Sequence, residues 1–261
     1  MKETKNKQLV IDGDMLLYKA ASVAQQEIRW SDDIWTLQTN MSEAKAEADR
    51  QVQEIKRDLK SDDILVVFSD RSTFRHKMWT AYKQNRADKR KPLGLGELKE
   101  WMMEVYPSEL YPNLEADDTI GIIVTEDPEN RVAVSGDKDF GTLPIMWYNH
   151  LKKVLRTITL AEANYFHLVQ SLMGDMTDGF AGCKGFGIRT AEKWLHKHGA
   201  YWESVVAAYK SKDQTEDDAL MNARLARILR AGEYNKETHE VTLWEPKVNA
   251  KATSPQIPFQ C

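Results

Sequence analysis

Cysteine is nearly missing from this chain: there are two, Cys183 and Cys261, far apart, the second at the last position. That excludes a disulfide framework or a thiolate metal knuckle and makes a reducing cytosol the expected compartment. Long apolar runs are missing as well. None approaches the roughly 20 residues of a membrane span. The start, MKETKNKQLVIDGD, is basic with an apolar run of only Leu9 to Ile11, so no signal peptide is expected. The six histidines (76, 150, 167, 196, 198 and 239) form no metal-spaced set, and His196 and His198 would point to different faces of a helix. No internal repeat is visible. These absences lead to the expectation of a soluble, cytoplasmic protein whose chemistry does not run through thiols or imidazoles.

What is present is core-forming and charged. With 42% hydrophobic residues in 261, the chain can bury one large core or two closely joined ones. The formal net charge of -4, taken as an average, argues against nucleic acid as a partner. The distribution argues the other way. Between Arg71 and Lys91 stand eight Lys or Arg against one acid, Asp88, while acids gather elsewhere. Separated charge suits a protein that holds cations in one place and phosphates beside it.

Gln8 to Ile11 reads as a short strand running into Asp12-Gly13-Asp14. Asp63 to Phe68 and Arg131 to Ser135 read as buried strands, with Ile145 to Tyr148 as a fourth. Between them Ser42 to Lys60, Glu97 to Tyr106 and Leu114 to Thr125 read as helices. Beyond Leu160 the pattern is almost wholly helical: Glu162 to Met173, Thr190 to His198, Trp202 to Lys210 and Glu216 to Arg230, then Val241 to Trp244 extended. Strands alternating with helices, followed by helices alone, predict an α/β layer with a mainly parallel sheet and then a helical half.

Acids stand at the strand ends: Asp12 with Asp14, Asp70, and the pair Asp137 and Asp139. In a parallel sheet the carboxyl ends of the strands line one edge, where ligands bind. Asp137 and Asp139 are two apart and point the same way in extended chain. The helix from Leu114 adds Glu115, Asp117 and Asp118, and Asp175 and Asp178 repeat the i, i+3 spacing of Glu115 and Asp118. Taken singly, first-turn acids compensate a helix dipole and strand-end acids make turns. Four separate segments converging on one edge point instead to hard divalent cations, which want oxygen ligands and offset the clustered charge. Phosphodiester cleavage by two ions about 4 Å apart needs such a surplus.

Gly182 to Ala191 (GCKGFGIRTA) resembles the hairpin of a helix–hairpin–helix module. Gly185 and Gly187 let backbone N–H groups reach a phosphate, and the following helix start adds its dipole, with Lys184, Arg189 and Thr190 alongside. The basic stretch, by itself, is as readily a solvated charged loop. Its place directly after Asp70 favours a phosphate-gripping loop built on Arg71, Arg75, Lys77, Tyr82, Lys89 and Arg90. Aromatic rings among cations suit single strands, where stacking adds about 1–3 kcal/mol per base.

The segments IDGDMLLYKA, VVFSDR, AYKQNRADKRKP, LEADDTIGIIV, VSGDKDF, MGDMTDGFAGCKGFGIRTA and ARILRAGEYN resemble, in that order, the 5′-nuclease or flap endonuclease superfamily, and within it phage 5′→3′ exonucleases of the T-seven-like type. The resemblance implies a PIN-like, mainly parallel α/β nuclease core over residues 1–160 with a helical arch at 71–96. A helix–three-turn–helix region over 161–245 and a loose tail at 246–261 would follow. It also implies a pair of Mg²⁺ or Mn²⁺ ions, K⁺ at the hairpin, and DNA with 5′ ends, nicks or flaps, or RNA–DNA hybrid, as substrate. The protein would be a monomer serving phage DNA replication, primer removal or host DNA degradation in the host cytoplasm. Position by position, Asp12, Asp70, Glu115, Asp117 and Asp137 would serve one ion and Asp118, Asp139, Asp175 and Asp178 the other. Tyr18, with Lys19 beside it, would meet the base next to the scissile phosphate, and Lys83 and Arg86 would be the catalytic cations. Two positions depart from the pattern: Gly179 stands where many relatives have Asn, and Asp14 where Ser, Thr or Asn is frequent.

Two rival readings stay open at this point. Asp12-x-Asp14 after an apolar strand imitates the nucleophile loop of an aspartyl phosphatase, although the hairpin and the basic stretch then go unexplained. A DNA-structure-binding protein with retired chemistry should have lost some carboxylates, and every expected one is present.

Overall fold

The computed structural model describes residues 4–86 and 88–246; the expected loose tail, from residue 247 on, lies outside them, as does Cys261. Strand β1 (Gln8–Asp12) opens the chain, and β2 (Gln25–Arg29) and β3 (Trp35–Thr39) pair only with each other, as an antiparallel hairpin. Strands β4 (Ile64–Val67), β5 (Ser108–Glu109), β6 (Arg131–Val134), β7 (Met146–Asn149) and β8 (Val154–Thr157) join β1 in a six-stranded sheet of order β5-β4-β1-β6-β7-β8. All neighbours are parallel except β7 and β8.

The strands read as continuous apolar runs because the sheet is covered on both faces. Leu9, Ile11, Val66, Val132 and Val134 pack on one side against α1 (Gly13–Val23), α2 (Met41–Leu59) and, beyond the five-residue α3 (Phe74–Met78), α4 (Leu95–Val105). Val10, Val67 and Ala133 face the other side, against α5 (Ala116–Glu126) and the start of α6 (Leu160–Met173). The strands alternate with period two, so each core receives every second residue. The later helices α7 (Ile188–His198), α8 (Trp202–Lys210) and α9 (Glu216–Ala226) gather with α6 around Leu172, Leu195, Val205 and Tyr209.

Besides the short strands β5 and β8, which the sequence reading did not include, three features depart from it. Helix α1 was not expected; the Asp12 carboxylate caps it by accepting Met15 N–H at 3.1 Å, and Leu16, Leu17, Ala20 and Ala21 bury its inner face. The β2–β3 hairpin was also missed, having neither a short glycine turn nor a buried face; Trp30, Ile34 and Trp35 stay exposed at its tip. Helix α9 ends at Ala226 rather than Arg230. The chain from Arg227 is instead drawn extended along α5, where Asp118 accepts Leu229 N–H at 3.2 Å and a side chain at Gly121 would strike the Leu229 carbonyl.

Candidate metal and nucleic-acid site

The carboxyl ends of β1, β4 and β6 meet the start of α5, and a chain of short hydrogen bonds fixes the junction. Asp12 Oδ2 accepts the Ser135 hydroxyl at 2.9 Å, and Ser135 Oγ accepts Asp137 N–H, joining the ends of β1 and β6. Asp14 Oδ2 accepts Ser69 N–H at 2.9 Å, and Ser69 Oγ in turn accepts Ala116 N–H at 2.8 Å, joining α1, the end of β4 and the first turn of α5. Ser69 and Ser135 had no place in the sequence reading. Their only signal was position, next to a strand-end acid.

Burial and mutual repulsion dominate here. Burial, then Asp14, pushes the Asp12 carboxyl up to about 7, with Asp137 adding to it. Asp117 is pushed well above the usual carboxylate range by burial and by Asp12 and Asp137. Asp139 is raised to about 7 by burial and by Asp137. Asp137 and Asp139 do not share a direction as extended chain would give them. Asp137 caps a 3-10 turn over Lys138–Thr142, accepting Asp139 N–H at 2.9 Å, and Asp139 turns to Gln170 Nε2 at 2.5 Å.

Three further acids are paired with cations. Glu115 receives Lys83 and Arg75, and although burial opposes its charge these hold it down to about 2. Asp178 faces Arg86 and, at 3.7 Å, Lys83. Asp175 lies 3.0 Å from Lys138. Among the described residues no three His, Cys, Asp or Glu side chains are drawn together as a ready ligand set. The donor chemistry nevertheless fits a hard divalent cation: Asp12, Asp117, Asp137 and Asp139 are oxygen ligands crowded enough to repel one another, with Lys138 Nζ 3.6 Å from Asp139 Oδ1.

Several expected site residues are placed elsewhere. Arg75 is not a surface grip. It is 3% exposed and forms a two-pronged ion pair with Asp118, which is itself fully buried, so that carboxylate is already fully engaged. Tyr82 is buried too, its hydroxyl donating to Glu115 at 2.8 Å, which removes it from stacking. Asp70 engages both carboxylate oxygens with backbone, accepting Asn113 N–H and Arg71 N–H, both at 2.7 Å. Tyr18, Lys19, Arg71, Lys77, Lys89 and Arg90 are exposed as expected, Lys77 reaching Asn113 at 2.8 Å.

The segment expected as a helical arch contains, besides α3 and the start of α4, a 3-10 turn at Gln84–Arg86. It lies against the turn after α6: Lys83 N–H donates to the Asp178 carbonyl at 2.8 Å. Gly179 is required there, with φ +83° and no room for a side chain beside the Ala81 carbonyl, which accounts for its departure from Asn. In the hairpin, Lys184, Gly185, Gly187, Arg189 and Thr190 are all exposed. Gly187 caps α7 with no side-chain hydrogen bond, and a Cβ at Gly185 or Gly187 would meet nothing. The start of α7 therefore carries no side-chain cap, the arrangement that receives a phosphate.

Residues 7–164 match the family model described as "5'-3' exonuclease, N-terminal resolvase-like domain". The chain belongs to this 5′-3′ exonuclease family. Among curated relatives of this exonuclease, the exonuclease of Escherichia phage T7 is 28% identical over 284 residues, covering 91% of this chain and 93% of the relative. The phage T5 5′-exonuclease with bound zinc shares its fold at a TM-score of 0.64 and 16% identity, over 84% of this chain and 88% of the other. The phage T5 flap endonuclease solved with DNA and metal ions has a TM-score of 0.62, also at 16% identity and the same coverage. No helix among the exonuclease's described residues is long and apolar enough to cross a membrane.

Proposed function

We propose that this exonuclease is a divalent-metal-dependent 5′→3′ exodeoxyribonuclease with flap-endonuclease character. The observation that carries the reading is the crowding of the carboxylates Asp12, Asp117, Asp137 and Asp139, with Lys83 and Arg86 held on neighbouring Asp178. Those four acids would hold a pair of Mg²⁺ or Mn²⁺ ions, with Glu115, Asp175 and Asp178 completing the shells. Asp70 and Asp118 are left as supports of the surrounding fold. Bound cations at such a site supply charge neutralisation on the phosphate and acidify water.

The chain's own residues divide the rest of the work. Lys83 and Arg86 offset negative charge that develops on the scissile phosphate. Tyr18, exposed on α1, offers its ring to the base beside that phosphate, with Lys19 next to it. The end nucleotides must unpair to reach the acids, at a cost of a few kcal/mol. The uncapped start of α7, with Lys184, Gly185, Gly187, Arg189 and Thr190, grips duplex phosphates and is where K⁺ would sit. Arg71, Lys77, Lys89 and Arg90 guide the strand. The division near residue 160 then separates a cutting unit from a duplex-holding unit, working as a monomer on 5′ ends, nicks, flaps or RNA–DNA hybrids in a host cytoplasm. The products carry 5′-phosphates, as replication, primer removal or host DNA degradation requires.

The test is digestion of a 5′-labelled duplex, a nicked duplex and a flap with Mg²⁺, resolving product lengths. Mononucleotides indicate exonuclease action and longer fragments flap cutting; no cleavage of any substrate with Mg²⁺ or Mn²⁺ refutes the reading.

A further inference from the structure

Lys138 has no role in the reading above, and its placement gives it one. It lies between Asp137 and Asp139 in sequence, at the start of the 3-10 turn, and its Nζ stands 3.0 Å from Asp175 Oδ2 and 3.6 Å from Asp139 Oδ1. It thereby bridges carboxylates from two distant segments, the end of β6 and the turn after α6. The same Asp139 oxygen also accepts Gln170 Nε2, so a neutral donor and a cation converge on it from different elements.

We propose that Lys138 is a resident counter-cation of the Asp139/Asp175 pair, displaced by the divalent ion that takes the same oxygens, and so sets the ion concentration the exonuclease needs. The inference rests on the metal-dependent reading of Asp139 and Asp175. Two carboxylates brought together without a cation repel, and an ammonium offsets one of their charges, whereas a divalent ion offsets two and binds several oxygens at closer range. The two cations cannot hold those oxygens at once.

Lysine suits a part that must leave, being a compact charge on a flexible four-carbon stem. Its side chain is 44% exposed, with solvent to swing into. Lys83 is the contrast: its side chain is 22% exposed, held between Glu115 and Asp178 with its ammonium 5.0 Å from the Tyr82 ring centre. The first lysine is placed to yield and the second to stay.

Chelator-treated wild type, Lys138→Met and Lys138→Arg are titrated with Mn²⁺ alone, and free Mn²⁺ is read by electron paramagnetic resonance. Wild type is expected to bind a stronger and a weaker ion. Lys138→Met should tighten the weaker one about ten-fold or more, because the competing charge is gone. Lys138→Arg keeps the charge and should stay within about three-fold of wild type. The metal-free melting temperature of Lys138→Met should fall below wild type and recover on adding Mn²⁺. Unchanged or weaker Mn²⁺ binding by Lys138→Met, or equal tightening by Lys138→Arg, overturns this proposal and leaves the metal-dependent reading standing. Wild-type protein that binds no Mn²⁺ overturns both.

Discussion

Arg75 and Asp118 form a fully buried, two-pronged ion pair, with Nη1 2.5 Å from Oδ2 and Nη2 2.8 Å from Oδ1. The same guanidinium donates to the carbonyls of Leu225, at 3.0 Å, and Arg227. The α5 start and the chain leaving α9 are therefore clamped through one side chain. Removing either charge strands the other in the interior, which typically costs about 3–5 kcal/mol. Arg75→Met should lower unfolding free energy by that amount in urea, and Arg75→Met with Asp118→Leu should lose less than Arg75→Met alone. A loss of DNA affinity with stability unchanged would return Arg75 to the surface grip.

Asp117 and Asp118 are neighbours with opposite consequences. Asp117→Asn removes one of several repelling carboxylates, so metal-free stability should hold or rise by on the order of 1 kcal/mol. Mg²⁺-dependent cleavage should be almost abolished and DNA binding largely kept. Asp118→Asn should instead unfold at lower urea concentration. Paired measurements of unfolding and cleavage separate the two; identical behaviour would mean that the buried pair is not a structural clamp.

The pH dependence of metal-free stability follows from Asp139, whose carboxyl is raised to about 7 from an ordinary value of 3.8. The folded chain binds this proton more tightly than the unfolded chain does, so the group favours folding below pH 4 and loses that contribution as pH rises to 7. Asp139→Asn lacks this titration. Its urea midpoint relative to wild type, measured with chelator present, should therefore climb between pH 4 and pH 7 and then level off. A difference that stays flat across that window contradicts the raised carboxyl.

Lys83 touches both Glu115 and Asp178, and removing it leaves DNA other cations to hold. Lys83→Ala should slow single-turnover cleavage about 100-fold or more while dissociation constants change far less. If only affinity moved, Lys83 would be a positioning contact.

Lys184 and Arg189 are exposed beside the uncapped start of α7. Replacing each with Gln should weaken duplex binding and reduce the slope of log affinity against log salt by about 0.9 per charge. An unchanged slope would place the duplex on another surface.

The sheet was legible in the sequence because β1, β4 and β6 are covered on both faces, and burial of that kind writes uninterrupted apolar runs. The acids were legible as strand-end residues. Their partners were not. Arg75 and Lys83 are cations in one basic stretch, and nothing local says that the first is sealed inside while the second meets Glu115; that depends on chains about 40 and 30 residues away folding back. Lys138 was hidden for another reason: in extended chain it would point away from Asp137 and Asp139, and only the 3-10 turn brings its ammonium back to Asp175. The β2–β3 hairpin left no periodic signal because neither of its faces is buried.

The placement of β1 between β4 and β6 has a consequence for synthesis on the ribosome. Its two neighbours are made about 55 and 120 residues later, since Leu9 registers with Ile64 and with Val132. The first strand translated must wait, with one edge open, until residue 134 has emerged before its ladder closes on both sides. Long-range parallel pairing of this kind is slow. Asp12 thus meets Ser135, and through it Asp137, only after more than half of the polypeptide exists, so a chain that stops short of residue 135 cannot join these two strand ends.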